Sequence, residues 1–198
     1  MFRVIILSED YYFANGLSEL IKNSVLSHPD IKILKSDRGE NVDRGTIIFR
    51  ESLVSIHLSD KEKGLSLLKD SKKPSSMTIH IPFLGRNSSL TELGIRLKKI
   101  LMIAEMDLTY FMSCDMPKAV GIKKHLQLSL TEEKIMLLIG KGYDSANISK
   151  ILSRSEKTIN THFRHAARKL GFINRADFYK YASFLAHSES RGIKTLCL

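Results

Sequence analysis

Apolar and polar positions follow two different rhythms along this chain. In the first half, short β-branched runs alternate with helical stripes. Arg3 to Ser8 reads as a buried strand, and Tyr11 to Leu26 places Phe13, Leu17, Leu20 and Ile21 at helical spacing. Ile31 to Leu34 and Thr46 to Phe49 follow as strands, with Val54 to Leu58 a weaker one. Lys61 to Lys69 reads as a helix through Leu65 and Leu68 that stops before Pro74. Met77 to Leu84 is a further strand, which Pro82 confines to an edge or an end. Leu90 to Ala104 is the clearest helix of this half, with Leu93, Leu97, Ile100, Leu101 and Ala104 on one stripe and Arg96, Lys98 and Lys99 mostly off it. The alternation predicts an α/β domain over residues 1–114, a parallel sheet with flanking helices.

Around Asp115 to His125 the apolar pattern lapses, and Pro117, Gly121 and Lys123-Lys124 predict a linker over 115–127. Beyond it, residues 128–198 predict an all-α domain of four helices. Ser129-Leu130-Thr131-Glu132 is a capping box, and Ile135, Met136, Leu138 and Ile139 form an inner face up to Gly140 and Gly142. Asp144 caps a short second helix through Ile148, Ile151 and Leu152. Ser153-Arg154 makes the turn, and Ser155 caps a third helix to about Leu170, with Gly171 just past its end. Asn174 caps the fourth, which carries Ala176, Phe178, Tyr179, Ala182 and Leu185.

At about 100° per residue the third helix divides in two. Ile159, Phe163, Ala166 and Leu170 share the inner sector, while Lys157, Asn160, Thr161, Arg164 and Arg168 share an outer one without an acidic residue. A short helix, a tight turn and a longer helix with a basic, amide-bearing outer face suit the major groove, where Arg pairs with guanine and Asn with adenine. Taken alone, the outer stripe also fits a solvated surface.

Charge sharpens this picture. Residues 121–198 hold 14 Lys and Arg against 6 Asp and Glu, whereas residues 1–120 hold 17 against 15. A basic segment favours a polyanionic partner through counterion release, although a merely soluble basic surface has the same composition. No apolar run approaches the roughly 18 residues of a membrane span, so no membrane association is expected. Met1 leads straight into a strand without a secretory leader, which predicts a cytoplasmic chain. Cys114 and Cys197 stand far apart without ligand-like neighbours, so the expectation is ordinary thiols and no metal site. No phosphate-cradling glycine loop and no nucleophile constellation is present, which predicts neither an enzyme nor a cofactor.

The stretch from Leu128-Ser129 through Ile139, Gly142, Ile148 and Leu152, the run Ser155-Glu156-Lys157-Thr158-Ile159-Asn160-Thr161-His162, and Arg168-Lys169-Leu170-Gly171 with Asn174-Arg175-Ala176 resemble the LuxR-type helix-turn-helix. The resemblance implies a transcription regulator in which Asn160, Thr161 and Arg164 reach base edges. Lys157, Thr158, Arg168 and Arg175 would then meet phosphates. His162 matches a recurrent family histidine and points to the core edge. Ala146 and Asn147 depart from the pattern, standing where the second helix usually offers a basic and an acidic residue. The partners so implied are double-stranded DNA, RNA polymerase, and either a second copy or a related regulator, with the apolar face of the fourth helix supplying part of the dimer contact.

The opening Val4-Ile5-Ile6-Leu7-Ser8-Glu9-Asp10 followed by Gly16-Leu17 resembles a phosphoacceptor receiver domain. Its chemistry is degenerate here. A receiver needs two acidic residues for Mg²⁺, an Asp ending the third strand and a late Lys, whereas this chain has Arg50 at the acceptor position and no Lys-Pro pair after a late strand. Asp10 reads as a helix cap. A phosphorylation-independent regulator is therefore expected, and the layout resembles short regulators of capsule and fimbrial genes. The alternative is a protein-interaction factor that pairs with another regulator and contributes little DNA contact itself.

Overall fold

The computed structural model describes residues 3–24, 30–34, 46–50, 53–59, 76–83, 89–113, 116–172, 174–187 and 193–198. The chain divides into two compact units, the first comprising 1–122 with 191–196 and 198, the second 123–190 with 197.

In the first unit the strands are β1 (Arg3–Leu7), β2 (Asp30–Leu34), β3 (Thr46–Arg50), β4 (Leu53–Ser59), β5 (Ser76–Pro82) and β6 (Ile193–Thr195). Among the described residues they form one sheet in the order β2-β1-β3-β4-β5-β6. The first five follow the 2-1-3-4-5 strand order found in flavodoxin-like α/β folds. The sheet is mixed rather than parallel throughout. β4 runs antiparallel to both β3 and β5, while the β1–β2, β1–β3 and β5–β6 pairs are parallel. The reason lies in the chain itself: only Glu51 and Ser52 separate β3 from β4, and a parallel pairing needs a crossover of about a dozen residues. The expected helix over Lys61 to Lys69 lies outside the described residues.

Two helices, α1 (Tyr11–Ser24) and α2 (Leu90–Glu105), pack on one face of this sheet. Ala14, Leu17 and Ile21 of α1 and Leu97, Ile100, Leu101 and Ile103 of α2 meet Val4, Ile6, Ile47, Phe49, Val54, Ile56, Ile79 and Ile81 in a single core. The supposedly weak strand β4 is among the most buried, because it is paired on both edges. A short helix α3 (Leu108–Phe111) buries Leu108 and Phe111 in this core, and residues expected in the linker help close it: Met116 of α4 (Met116–Ala119) and the following Val120 are buried there too. Residues 193–196, expected in the helical domain, also belong here. Ile193 and Thr195 pair beside Thr78 and His80, and the Leu196 N–H donates to His80 O at 2.9 Å.

The second unit consists of a 3₁₀ turn (Lys124–Leu126) and helices α5 (Leu130–Gly140), α6 (Ser145–Leu152), α7 (Glu156–Lys169) and α8 (Arg175–His187). Its starts are those the caps foretell. The hydroxyls of Ser129 and Ser155 and the carboxylate of Asp144 accept from Glu132 N, Thr158 N and Asn147 N, and Asn174 Oδ1 accepts from Asp177 N at 2.7 Å. Gly142 and Gly171 adopt positive φ at helix ends. α5 ends at Gly140 as expected, and this glycine has a second role: a Cβ there would overlap the carbonyl oxygen of Ala182, so its absence lets α5 and α8 touch backbone to backbone.

Candidate nucleic-acid interface

The turn between α6 and α7 is set by a residue in an unfavourable conformation. Ser153 ends α6 in the left-handed region, and the Arg154 N–H donates back to Ser149 O at 3.0 Å, which reverses the chain tightly enough to present α7. Along α6, Ile148 is buried, whereas Ile151 is 51% exposed rather than inward-facing.

Helix α7 is sided as its periodicity requires. Ile159, Phe163, Ala166 and Leu170 are buried. Lys157, Thr161, Arg164 and Arg168 are exposed, while Asn160, Thr158 and His162 are half-buried. Three of these polar groups are tied locally: Thr158 shares the cap with Ser155 (2.9 Å between hydroxyls), Thr161 Oγ1 donates to Lys157 O at 2.9 Å, and Asn160 Oδ1 lies 3.5 Å from Ser145 Oγ. No acidic side chain lies on the exposed stripe.

Below its middle, α7 borders a basin of about 560 Å³ lined by Asn160, Arg164, Arg168, Asn174 and Arg175 over a floor that includes Phe163. Arg175 is held there by aromatic faces. Its guanidinium lies 5.0 Å from the centroid of Phe163 and 5.9 Å from that of Tyr179, and its Nη2 donates to the Tyr179 hydroxyl at 3.3 Å. The structure thus gathers Asn160, Arg164, Arg168 and Arg175 around one concavity, with Lys157 and Thr158 nearer the start of α7 and Thr161 between Asn160 and Arg164 but outside the lining.

Sequence reasoning missed what holds α7 in place. Lys169 Nζ, on the side away from the basic stripe, donates to Glu132 Oε2 at 2.7 Å and to Gln127 O at 2.9 Å. Glu132 is 3% exposed and would be penalised by burial, but the Lys169 ammonium and the Ser129 N–H and hydroxyl hold its carboxyl below the usual range. The capping box announced Glu132, but nothing local announces Lys169 as its partner. The packing of α8 bears on a second expectation. The apolar face of α8, expected to supply part of a dimer contact, is largely used within this unit: Phe178, Tyr181, Ala182 and Leu185 are buried, with Phe178 edge-on to Phe163 at 4.7 Å. Of the apolar positions expected on that face, Ala176 and Tyr179 remain exposed.

Residues 126–182 match the family described as bacterial regulatory proteins, luxR family. This segment is a LuxR-family helix-turn-helix domain. The uncharacterized protein YjjQ of Escherichia coli O157:H7 is 35% identical over 54 residues, which are 27% of this chain and about a fifth (22%) of that protein's length. A solved structure on conformational dynamism for DNA interaction in the Salmonella typhimurium RcsB response regulator is similar over 93% of this chain and 100% of that chain, at 16% identity and a TM-score of 0.29.

The sheet unit also places the residues weighed for phosphoacceptor chemistry. Glu9 and Asp10 are exposed, and Asp10 Oδ1 accepts from Phe13 N at 3.0 Å, capping α1. Arg50 ends β3, and its Nη1 donates to Ser55 Oγ at 3.2 Å, which in turn lies 2.9 Å from His80 Nδ1. His57 Nδ1 lies 3.0 Å from Thr78 Oγ1 on the same sheet face. Burial, reinforced by the charges of His57 and Arg50, pushes His80 down to about 4. Burial and Arg50 lower His57 as well. This sheet face carries the Arg50 guanidinium beside two imidazoles, His57 and His80. Among the described residues no helix is long and apolar enough to cross a membrane.

Proposed function

We propose that this chain is a sequence-specific duplex-DNA-binding transcription regulator that operates without phosphorylation, as a dimer with itself or a related regulator, and that it acts on genes for surface structures. The observation that carries this reading is the exposed, acid-free stripe of α7 merging into an arginine-lined basin. Asn160, Thr161 and Arg164 read base edges, and Lys157, Thr158, Arg168 and Arg175 meet phosphates on either side. Arg175 is well suited to this, since its stacking on Phe163 and Tyr179 fixes the guanidinium before DNA arrives. Arg50 in place of an acceptor aspartate, tied to Ser55, supports phosphorylation independence.

The test is genome-wide mapping of bound DNA followed by titrations on the mapped site. Arg164→Ala and Asn160→Ala each weaken binding by about 1–3 kcal/mol and relax preference at one base pair, whereas Lys157→Ala weakens all sequences alike and lowers the salt slope by about one unit. If Arg164→Ala and Asn160→Ala keep full affinity and base preference while regulation in the cell persists, a protein-interaction role replaces the DNA-reading one. Intact mass after treatment with acetyl phosphate is expected to stay unchanged. An acid-labile phosphate on the chain would overturn phosphorylation independence.

A further inference from the structure

Residue 197 follows β6 in the chain, yet its bonds are made within the helix-turn-helix unit. The side-chain amide of Gln127 pairs with both backbone groups of Cys197: Gln127 Nε2 donates to Cys197 O at 2.8 Å, and Cys197 N–H donates to Gln127 Oε1 at 3.0 Å. This is the two-bond pattern of a strand bridge, made by a side chain. The Cys197 thiol is buried, accepts from the Leu128 N–H and lies within the electrostatic reach of Lys169 and Glu132. The main-chain carbonyl of the same Gln127 accepts from Lys169, the last residue of α7. A continuous path of hydrogen bonds therefore runs from the Cys197 backbone through Gln127 to the base of the helix that carries the basic stripe.

We infer that Gln127 and residue 197 form a strap that positions α7, and that Gln127 is a positioning residue for DNA reading although it lies off the basic stripe. The inference rests on the proposal that α7 reads DNA. Without the amide pair, the Gln127 carbonyl is held less firmly, by the Leu128 N–H contact to the Cys197 thiol and the Gln127 N–H to Lys124 O, and Lys169 keeps Glu132 but loses a fixed carbonyl. The base of α7 then samples a wider range of orientations, and side chains at Asn160 and Arg164 lose registry with bases while keeping their charge.

Full-length wild type, Gln127→Met, Gln127→Glu and Arg164→Ala are titrated on a labelled duplex that the wild type selects from a random-sequence pool, across a salt series, with amide exchange followed at Cys197 and residues 166–170. Gln127→Met is expected to weaken binding about three- to tenfold with an unchanged salt slope, since it removes two neutral hydrogen bonds and no phosphate contact. Gln127→Glu, which keeps the acceptor for Cys197 N–H, falls between. Exchange quickens at Cys197 and at the end of α7 in step with the affinity loss. Unchanged affinity despite a freed Cys197 amide overturns the strap, as does a lowered melting temperature without any loss of affinity. If Gln127→Met does not fold, wild-type exchange decides: Cys197 protected to the level of Leu170 supports the strap, and free exchange there overturns it. If no duplex is selected, or Arg164→Ala binds like wild type, the DNA-reading proposal is what fails.

Discussion

The two units of this chain bury polar side chains by opposite routes. The helix-turn-helix unit encloses a full charge with its countercharge, Glu132 against Lys169, and completes the set with the Ser129 cap and the Gln127 carbonyl. The sheet unit encloses neutral imidazole, His80 against Ser55, near the cation of Arg50. A compensated pair ties two helices rigidly but is costly to break, because the survivor is a buried charge. A neutral histidine near a cation costs little at neutral pH and becomes a liability when protons are abundant. The units should therefore fail under different challenges.

The largest effect is expected from Lys169→Met, which strands the Glu132 carboxylate and should cost about 3–5 kcal/mol at neutral pH in urea unfolding of the full chain. Adding Glu132→Gln to that variant should recover most of the loss. A double variant as unstable as the single one would mean that Lys169 acts through Gln127 rather than through charge.

Acid separates the units next. His80 is neutral in the fold down to about pH 4 and titrates near its ordinary 6.5 when unfolded, so between those values the unfolded chain holds the extra proton. The sheet unit's stability is accordingly full above pH 6.5 and falls by about 3 kcal/mol as pH drops toward 4. Glu132 has the opposite charge type. Its lowered carboxyl stabilises above the ordinary 4.5, and the helical unit loses that contribution only below this pH. Amide exchange at pH 7, 5 and 4 should show β4 and β5 loosening before α5 and α7, and His80→Gln should flatten the earlier phase. Simultaneous loosening of both units below pH 4.5 alone would break the contrast.

A smaller loss, about 1 kcal/mol, is expected from Ser55→Ala, which removes one neutral hydrogen bond to His80 and one to Arg50. It should lower the melting temperature at pH 7 without changing DNA affinity. The smallest effect has the opposite sign. Ser153→Gly relieves a left-handed residue at φ 50° and should stabilise the helical unit by about 0.5 kcal/mol, read as a small rise in its unfolding midpoint.

Much of the helical unit was legible in the residue order. The caps at Ser129, Asp144, Ser155 and Asn174, the sidedness of α7 and the positive-φ glycines all depend on residues within about four positions of one another. Local chemistry therefore determines them wherever the chain goes. Arg50 at the end of β3 was equally readable, and so in principle was the reversal of β4, since two connecting residues leave no other direction.

What only the tertiary structure decided involves partners far apart in the chain. Ile193–Thr195 has too few residues to announce a strand, and becomes one because the free edge of β5 supplies its hydrogen bonds. Gly140 reads locally as a helix stop, and only the approach of Ala182 turns it into a packing requirement. Lys169 looks like one more cation of a basic helix until Glu132, 37 positions away, pairs with it in the interior. Residue identity determined which local conformations were favourable, whereas tertiary packing decided which side chains shared a low-dielectric interior, and it is there that a partner changes what a residue does.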